Sequence, residues 1–189
     1  MKAEKKPFYE DVVMAGFGGQ GLMFIGKLLA YSAMKEDQHV TWIPSYGPEM
    51  RGGTANCTVV ISNEEIGPPV VSHPRSVIVM NNPSMEAFEP KIQKDGLLLL
   101  SSSMVNSPVT RSDIRTLAVP ASELAALAGN EKAANMVLLG AYIAVSKVVS
   151  EKSIIEGLKE MFSKKMDLFE INIRAFEAGM KFSVQQTGK

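Results

Sequence analysis

The chain has 189 residues, is 46% hydrophobic and 21% charged, and sets 20 Lys and Arg against 20 Asp and Glu. That composition predicts one globular domain over residues 1–189, and the absence of any basic excess argues against a nucleic-acid partner. One cysteine, Cys57, and two histidines far apart, His39 and His73, exclude an internal disulfide and a four-cysteine iron–sulfur cluster, and they make a poor start for a zinc site.

The first seven residues are charged and lack an adjacent apolar stretch, so they do not read as a secretory signal. The longest apolar runs, such as residues 136–145, fall short of the ~20 residues that span a bilayer. A soluble cytoplasmic protein with no membrane contact is the expectation. An apolar strand at 11–15 leads into Gly16-Phe-Gly-Gly-Gln-Gly21 and then an amphipathic helix that ends near Lys35. Gly16, Gly18 and Gly21 fit G-x-G-x-x-G, with Gly19 and Gln20 between them. Glycine tolerates positive φ and lets another group approach the backbone. The amides that open the following helix carry partial positive charge, suited to a phosphate or carboxylate. The same glycines would also serve simply to pack strand against helix, and the sequence leaves both readings open.

A second strand is predicted at 39–43, stopped by Pro44. Residues 45–53 have loop chemistry, with three glycines, one proline and two opposite charges. A β-branched run at 54–62 reads as the third strand. A turn at 63–65 and an irregular crossing at 67–69 precede a short buried strand at 75–80. Asn81-Asn82-Pro83 starts a short helix ending at Phe88. Strands follow at 97–101 and 114–119, with a polar, exposed stretch at 101–108 between them. The last third is helical: 122–128 ending at Gly129, 131–148 capped by Asn130, 150–162, and a final helix. In that helix Met166, Phe169, Ile173, Phe176 and Met180 recur at spacings of three and four, as one apolar stripe. No internal repeat or low-complexity tract interrupts the chain. The order of elements predicts a three-layer α/β/α sandwich, Rossmann-like in its first half, with a mixed sheet and a helical C-terminal third.

In a dinucleotide-binding unit an acidic residue at the end of the second strand holds the ribose. Here Glu36 and Asp37 come before that strand, and the strand ends Trp42-Ile43-Pro44-Ser45 without a carboxylate. NAD binding by a free-standing Rossmann-like protein is therefore the alternative reading rather than the leading one.

Gly16-Phe-Gly-Gly-Gln-Gly21 together with Ser45-Tyr-Gly-Pro-Glu-Met-Arg-Gly-Gly-Thr54 resembles the gamma subunit of 2-oxoacid:ferredoxin oxidoreductases, a domain also fused into single-chain pyruvate enzymes. Asn135-Met-Val-Leu-Leu-Gly140 and residues 172–179 extend the resemblance over nearly the whole chain. The resemblance implies a multi-subunit enzyme that decarboxylates a 2-oxoacid oxidatively, gives the acyl group to coenzyme A and passes electrons to ferredoxin. It implies alpha and beta companion subunits, with a delta subunit in some versions. Thiamine diphosphate, magnesium and the iron–sulfur clusters lie on those companions. No cofactor is expected on this chain alone and no catalytic residue in it, but coenzyme A is expected as a co-substrate that it helps to bind. The candidate binding residues are Gly16, Gly18, Gly19, Gln20 and Gly21 of the first loop, Tyr46, Gly47, Glu49, Arg51, Gly52 and Gly53 of the second, and Asn135. Tyr46 offers an aromatic face. Arg51 offers a planar fork of donors for phosphate or carboxylate, the bland alternative being a surface ion pair with Glu49. Cys57 and Trp42 read as core. The resemblance leaves the 2-oxoacid open among pyruvate, 2-oxoglutarate, branched-chain and indolepyruvate enzymes. A separate gamma chain of this type leans toward 2-oxoglutarate or a branched-chain acid.

Overall fold

A computed structural model describes residues 7–45, 54–68 and 70–187. Among these residues six strands form one mixed sheet: β1 (Tyr9–Phe17), β2 (His39–Ser45), β3 (Thr54–Ser62), β4 (Ser76–Val79), β5 (Leu97–Ser101) and β6 (Arg115–Val119). Their order is β2-β3-β1-β4-β5-β6. β1, β4, β5 and β6 are parallel, while β3 runs antiparallel to both of its neighbours, β1 and β2. The hairpin partner of β2 is thus wedged between the first two strands of what would otherwise be an open parallel unit.

Six α-helices accompany the sheet among the described residues: α1 (Leu22–Lys35), α2 (Asn82–Phe88), α3 (Ala121–Leu127), α4 (Ala134–Ser146), α5 (Glu151–Met161) and α6 (Met166–Thr187). The two faces are dressed unequally. Val12, Met14, Cys57, Val59, Ile61, Ile78 and Leu99 point to one face and pack with residues of α1, α3, α4, α5 and α6. The alternate residues of the same strands, Val13, Ala15, Val77, Val79, Leu98 and Leu100, point to the other and meet Met85 and Phe88 of α2, Ile92 and Val105. That alternation is the period-two signature of strands buried on both sides.

Several expectations need correction. Pro44 does not end the second strand but lies inside β2, opposite Cys57. β2 is an edge strand, where a residue without an N–H leaves no ladder bond broken. The stretch after β5 is not simply exposed. Val105 is buried, and the segment is clipped to α2 by Asn82, whose Oδ1 accepts from Asn106 N at 3.0 Å. It is also held by Glu89, whose Oε1 accepts from Thr110 N at 2.6 Å and Arg111 N at 3.0 Å. This strapped segment completes the thin second layer. Asn130 caps a 3-10 turn, Glu131–Ala133, before α4 begins. In α6 the expected stripe faces inward, with Phe176 buried and Phe169, Ile173 and Met180 packed against the core, except that Met166 at its start is half exposed; Ala175 and Ser183 are buried beside it. The helix also makes a backbone crossing with α4: a Cβ on Gly140 would sit 1.9 Å from Phe176 O, and one on Gly179 would sit 1.9 Å from Val137 O.

Candidate functional site

The glycine loop leaves the carboxyl end of β1, beside the carboxyl end of β4. From β1 the chain turns first toward β2 and β3 and only later crosses to β4, so this is the point in the sheet where the winding direction switches. Such crevices are where open α/β sheets bind ligands. A cleft of about 360 Å³ lies there, lined by Gly19 and Gln20 of the loop, Met80 after β4, Met104 after β5, Ser122 in the first turn of α3, Glu131 and Lys132 of the 3-10 turn before α4, and Ala134 at the start of α4.

The loop's glycines have different jobs. Gly19 (φ 92°) and Gly21 (φ 77°) are in the left-handed region that other residues enter at a cost. Gly16 is needed for space, because a Cβ would lie 2.4 Å from Gln20 Oε1 and 3.1 Å from Met80 Cβ. Gly18 is in the exposed turn. Gly21 is the N-cap of α1, and its carbonyl accepts from Phe24 N (3.1 Å) and Ile25 N (3.2 Å). The amides of Leu22 and Met23 come before these first helical bonds, at the positive end of the helix dipole.

Gln20 closes the loop on itself and on the sheet. Its Oε1 accepts from Phe17 N at 2.6 Å, and its Nε2 donates to Met80 O at 3.2 Å. Asn135 reaches the loop from the helix side, with Nδ2 donating to Gly21 O at 3.1 Å. The structure therefore brings Gly16, Gly18, Gly19, Gln20, Gly21 and Asn135 together. Tyr46, Gly47, Glu49, Arg51, Gly52 and Gly53 lie outside the described residues. The strand residues that flank them, Ser45 and Thr54, are at the same sheet edge as the glycine loop, since Thr54 pairs with Phe17. Sequence reasoning missed Lys132, Ser122, Met80 and Met104. Among the described residues lining the cleft, Lys132 carries the one cationic side chain. Its only sequence signal was the Asn130-Glu-Lys start of a helix, which says nothing about the strand end it will face.

The opposite sheet edge holds a separate polar cluster. Glu10 Oε1 accepts from Ser76 Oγ at 2.6 Å and from Tyr142 OH at 3.1 Å. Burial pushes the Glu10 carboxyl above its ordinary range despite those two donors. The fully buried Tyr142 hydroxyl is likewise raised well above its ordinary range, by burial and then by Glu10.

The acidic residues that an NAD site would need are also at that far edge. Glu36 caps the end of α1, where its Oε1 accepts from Ser150 N at 2.7 Å and Ser153 Oγ at 2.6 Å. Burial pushes its carboxyl up, but the Ser153 and Ser150 donors outweigh that and hold it below its ordinary value. With Glu36 committed to the start of α5 and β3 wedged between β1 and β2, the geometry gives the NAD reading no support. Among the described residues no group of three or more His, Cys, Asp or Glu side chains could hold a metal ion, and no helix is long and apolar enough to cross a membrane.

Comparison with known proteins agrees with this picture. The chain is 38% identical over 173 residues to the ketoisovalerate oxidoreductase subunit VorA of Methanothermobacter thermautotrophicus, covering 91% of this chain and 36% of VorA, so it spans about a third of that relative. It is 32% identical over 183 residues to the 2-oxoglutarate synthase subunit KorC of Methanothermobacter marburgensis, covering 93% of this chain and 97% of KorC. The solved keto/oxoacid ferredoxin oxidoreductase gamma subunit of Geobacter sulfurreducens PCA superposes with a TM-score of 0.80 at 26% identity, covering 93% of this chain and 99% of that one. Residues 11–182 match the family described as pyruvate ferredoxin/flavodoxin oxidoreductase, and the chain belongs to that family.

Proposed function

We propose that this chain is the gamma subunit of a 2-oxoacid:ferredoxin oxidoreductase, which decarboxylates a 2-oxoacid oxidatively, forms the acyl-CoA and passes electrons to ferredoxin through companion subunits. The observation that carries the reading is the near end-to-end match to KorC, a subunit of comparable length. Thiamine diphosphate, magnesium and the iron–sulfur clusters belong on the alpha and beta companions in this reading. The chain's single cysteine, Cys57, is buried and bonded toward Leu22 O, in keeping with electron carriers held elsewhere. Ketoisovalerate is the first substrate to assay, because VorA has the higher identity of the two relatives.

This chain's own part is to help assemble the complex and to receive the anionic portion of coenzyme A in the cleft. Lys132, the first-turn amides of α1 and the loop glycines supply positive potential there, while Met80 and Met104 supply an apolar wall. Ser45 and Thr54, the described residues on either side of 46–53, are at the same sheet edge as the glycine loop, and in this reading Arg51 contacts the catalytic companions or the ligand's charge. Co-expression with alpha and beta subunits from the same source, followed by size-exclusion chromatography and a coenzyme A-dependent oxidation assay with an artificial acceptor, tests the reading. Co-elution with activity that disappears when this chain is omitted is the expected result. A chain that elutes alone and adds nothing to the activity would overturn it. Arg51→Ala should lower assembly or coenzyme A turnover while the isolated chain stays folded.

A further inference from the structure

The glycine loop is tied from two sides, by two side-chain amides with different views of the cleft. Gln20 ties it to the sheet and lines the cleft wall. Asn135 ties it to α4 from behind. Asn135 is only 6% exposed and directly follows Ala134, the last lining residue on the helix side. Its Oδ1 accepts from Met136 N at 2.9 Å, which turns the donor end of the amide toward Gly21 O. The fit is close, since a Cβ on Gly21 would lie 2.3 Å from Asn135 Nδ2. The carbonyl that Asn135 holds is the one that starts the hydrogen-bond ladder of α1. One side chain therefore fixes the distance between two cleft walls and the direction in which the first amides of α1 point.

We infer that Asn135 is a positioning residue: it sets the width of the cleft and the aim of the α1 amides, and through them the affinity for coenzyme A, without touching the ligand. This rests on the reading of the cleft as the coenzyme A site. Asn135→Ala removes the tie. Asn135→Asp keeps the size and the acceptor for Met136 N but turns an oxygen toward the Gly21 carbonyl.

Two measurements on each variant decide the matter. In the isolated full chain, hydrogen exchange at residues 19–24 should accelerate by about tenfold, the loss of one hydrogen bond's worth of restraint, while the amides of β4 and β5 keep their rates. Unchanged exchange at 19–24, or faster exchange throughout the sheet, overturns the proposal. In the assembled enzyme the KM for coenzyme A should rise about tenfold, with kcat and the KM for the 2-oxoacid within about twofold. An unchanged coenzyme A KM in an enzyme that still needs coenzyme A overturns the proposal and leaves the subunit reading standing. If the wild-type complex shows no coenzyme A dependence, the subunit reading falls, and titration of coenzyme A onto the isolated chain decides. Weaker binding by the variants than by the wild type supports the proposal. Equal binding, or none by the wild type, overturns it.

Discussion

Glu10, the second residue of β1, holds its partly buried carboxylate between the hydroxyls of Ser76 and Tyr142. Burial raises its pKa above the ordinary 4.5, so the folded chain favours the protonated form more than the unfolded chain does. By linkage the cost of ionising Glu10 is absent below the ordinary value. It grows as pH rises toward the raised folded value and is fully present above that value. Glu10→Gln keeps a carbonyl acceptor for both hydroxyls and removes the charge. Urea melts should therefore show the variant more stable than wild type at pH 8, with the advantage vanishing near pH 4. Cys57 is a second buried titratable group, its thiol pushed by burial up to about 11. Because the thiolate is the reactive form, a maleimide or disulfide reagent at pH 8 should label the folded chain very slowly and the urea-unfolded chain fast. Sequence alone placed the glycine loop between β1 and α1, because glycine tolerates positive φ, although of the loop's glycines only Gly19 and Gly21 adopt it. It could not show that Gln20 and Asn135 hold the loop closed, because those bonds cross 60 and 114 residues of chain.

At the level of elements, the crossing of α4 and α6 carries the tightest constraint. Gly140 and Gly179 meet each other's helix backbone, so a methyl group at either has nowhere to go. Gly140→Ala should cost about 1–3 kcal/mol by overpacking, read as a lower urea midpoint with an unchanged slope. The apolar spacing in α6 announced both the helix and its inward side, with Phe169, Ile173, Phe176 and Met180 on the core and only Met166 half exposed. It did not announce the close backbone crossing, which is set by where two small residues allow backbones to touch. The segment after β5 is exposed at alternate positions, as its polar residues suggest, but Val105 within it is buried. Just beyond it, the buried carboxylate of Glu89 gathers the amides of Thr110 and Arg111 from about twenty positions away. Both the crossing and this strap are tertiary contacts that local pattern does not encode. The helices and strands themselves, set by local periodicity, were legible to within a few residues.

For the molecule as a whole, the strand order decides the chemistry available. Inserting β3 between β1 and β2 takes the second strand's end away from the glycine loop, and α1, running back along the sheet, leaves Glu36 at the far edge. The chain should accordingly show no heat or fluorescence change on titration with NAD up to millimolar concentration, whereas saturable micromolar binding would reinstate a dinucleotide site. The position of β3 was not readable from the chain, because a hairpin can pair on either side of β2 with the same alternation. The same arrangement leaves β2 and β6 as the two rims of the sheet. An open rim is a row of unused donors and acceptors on which a stray strand can grow. On β2, Pro44 withholds a donor from that row. On β6 the rim is five residues long and begins at exposed Arg115. For a chain read as one subunit of a larger enzyme, these rims guard the interval before assembly: they discourage self-stacking, so that aggregation does not outrun the meeting with its companions.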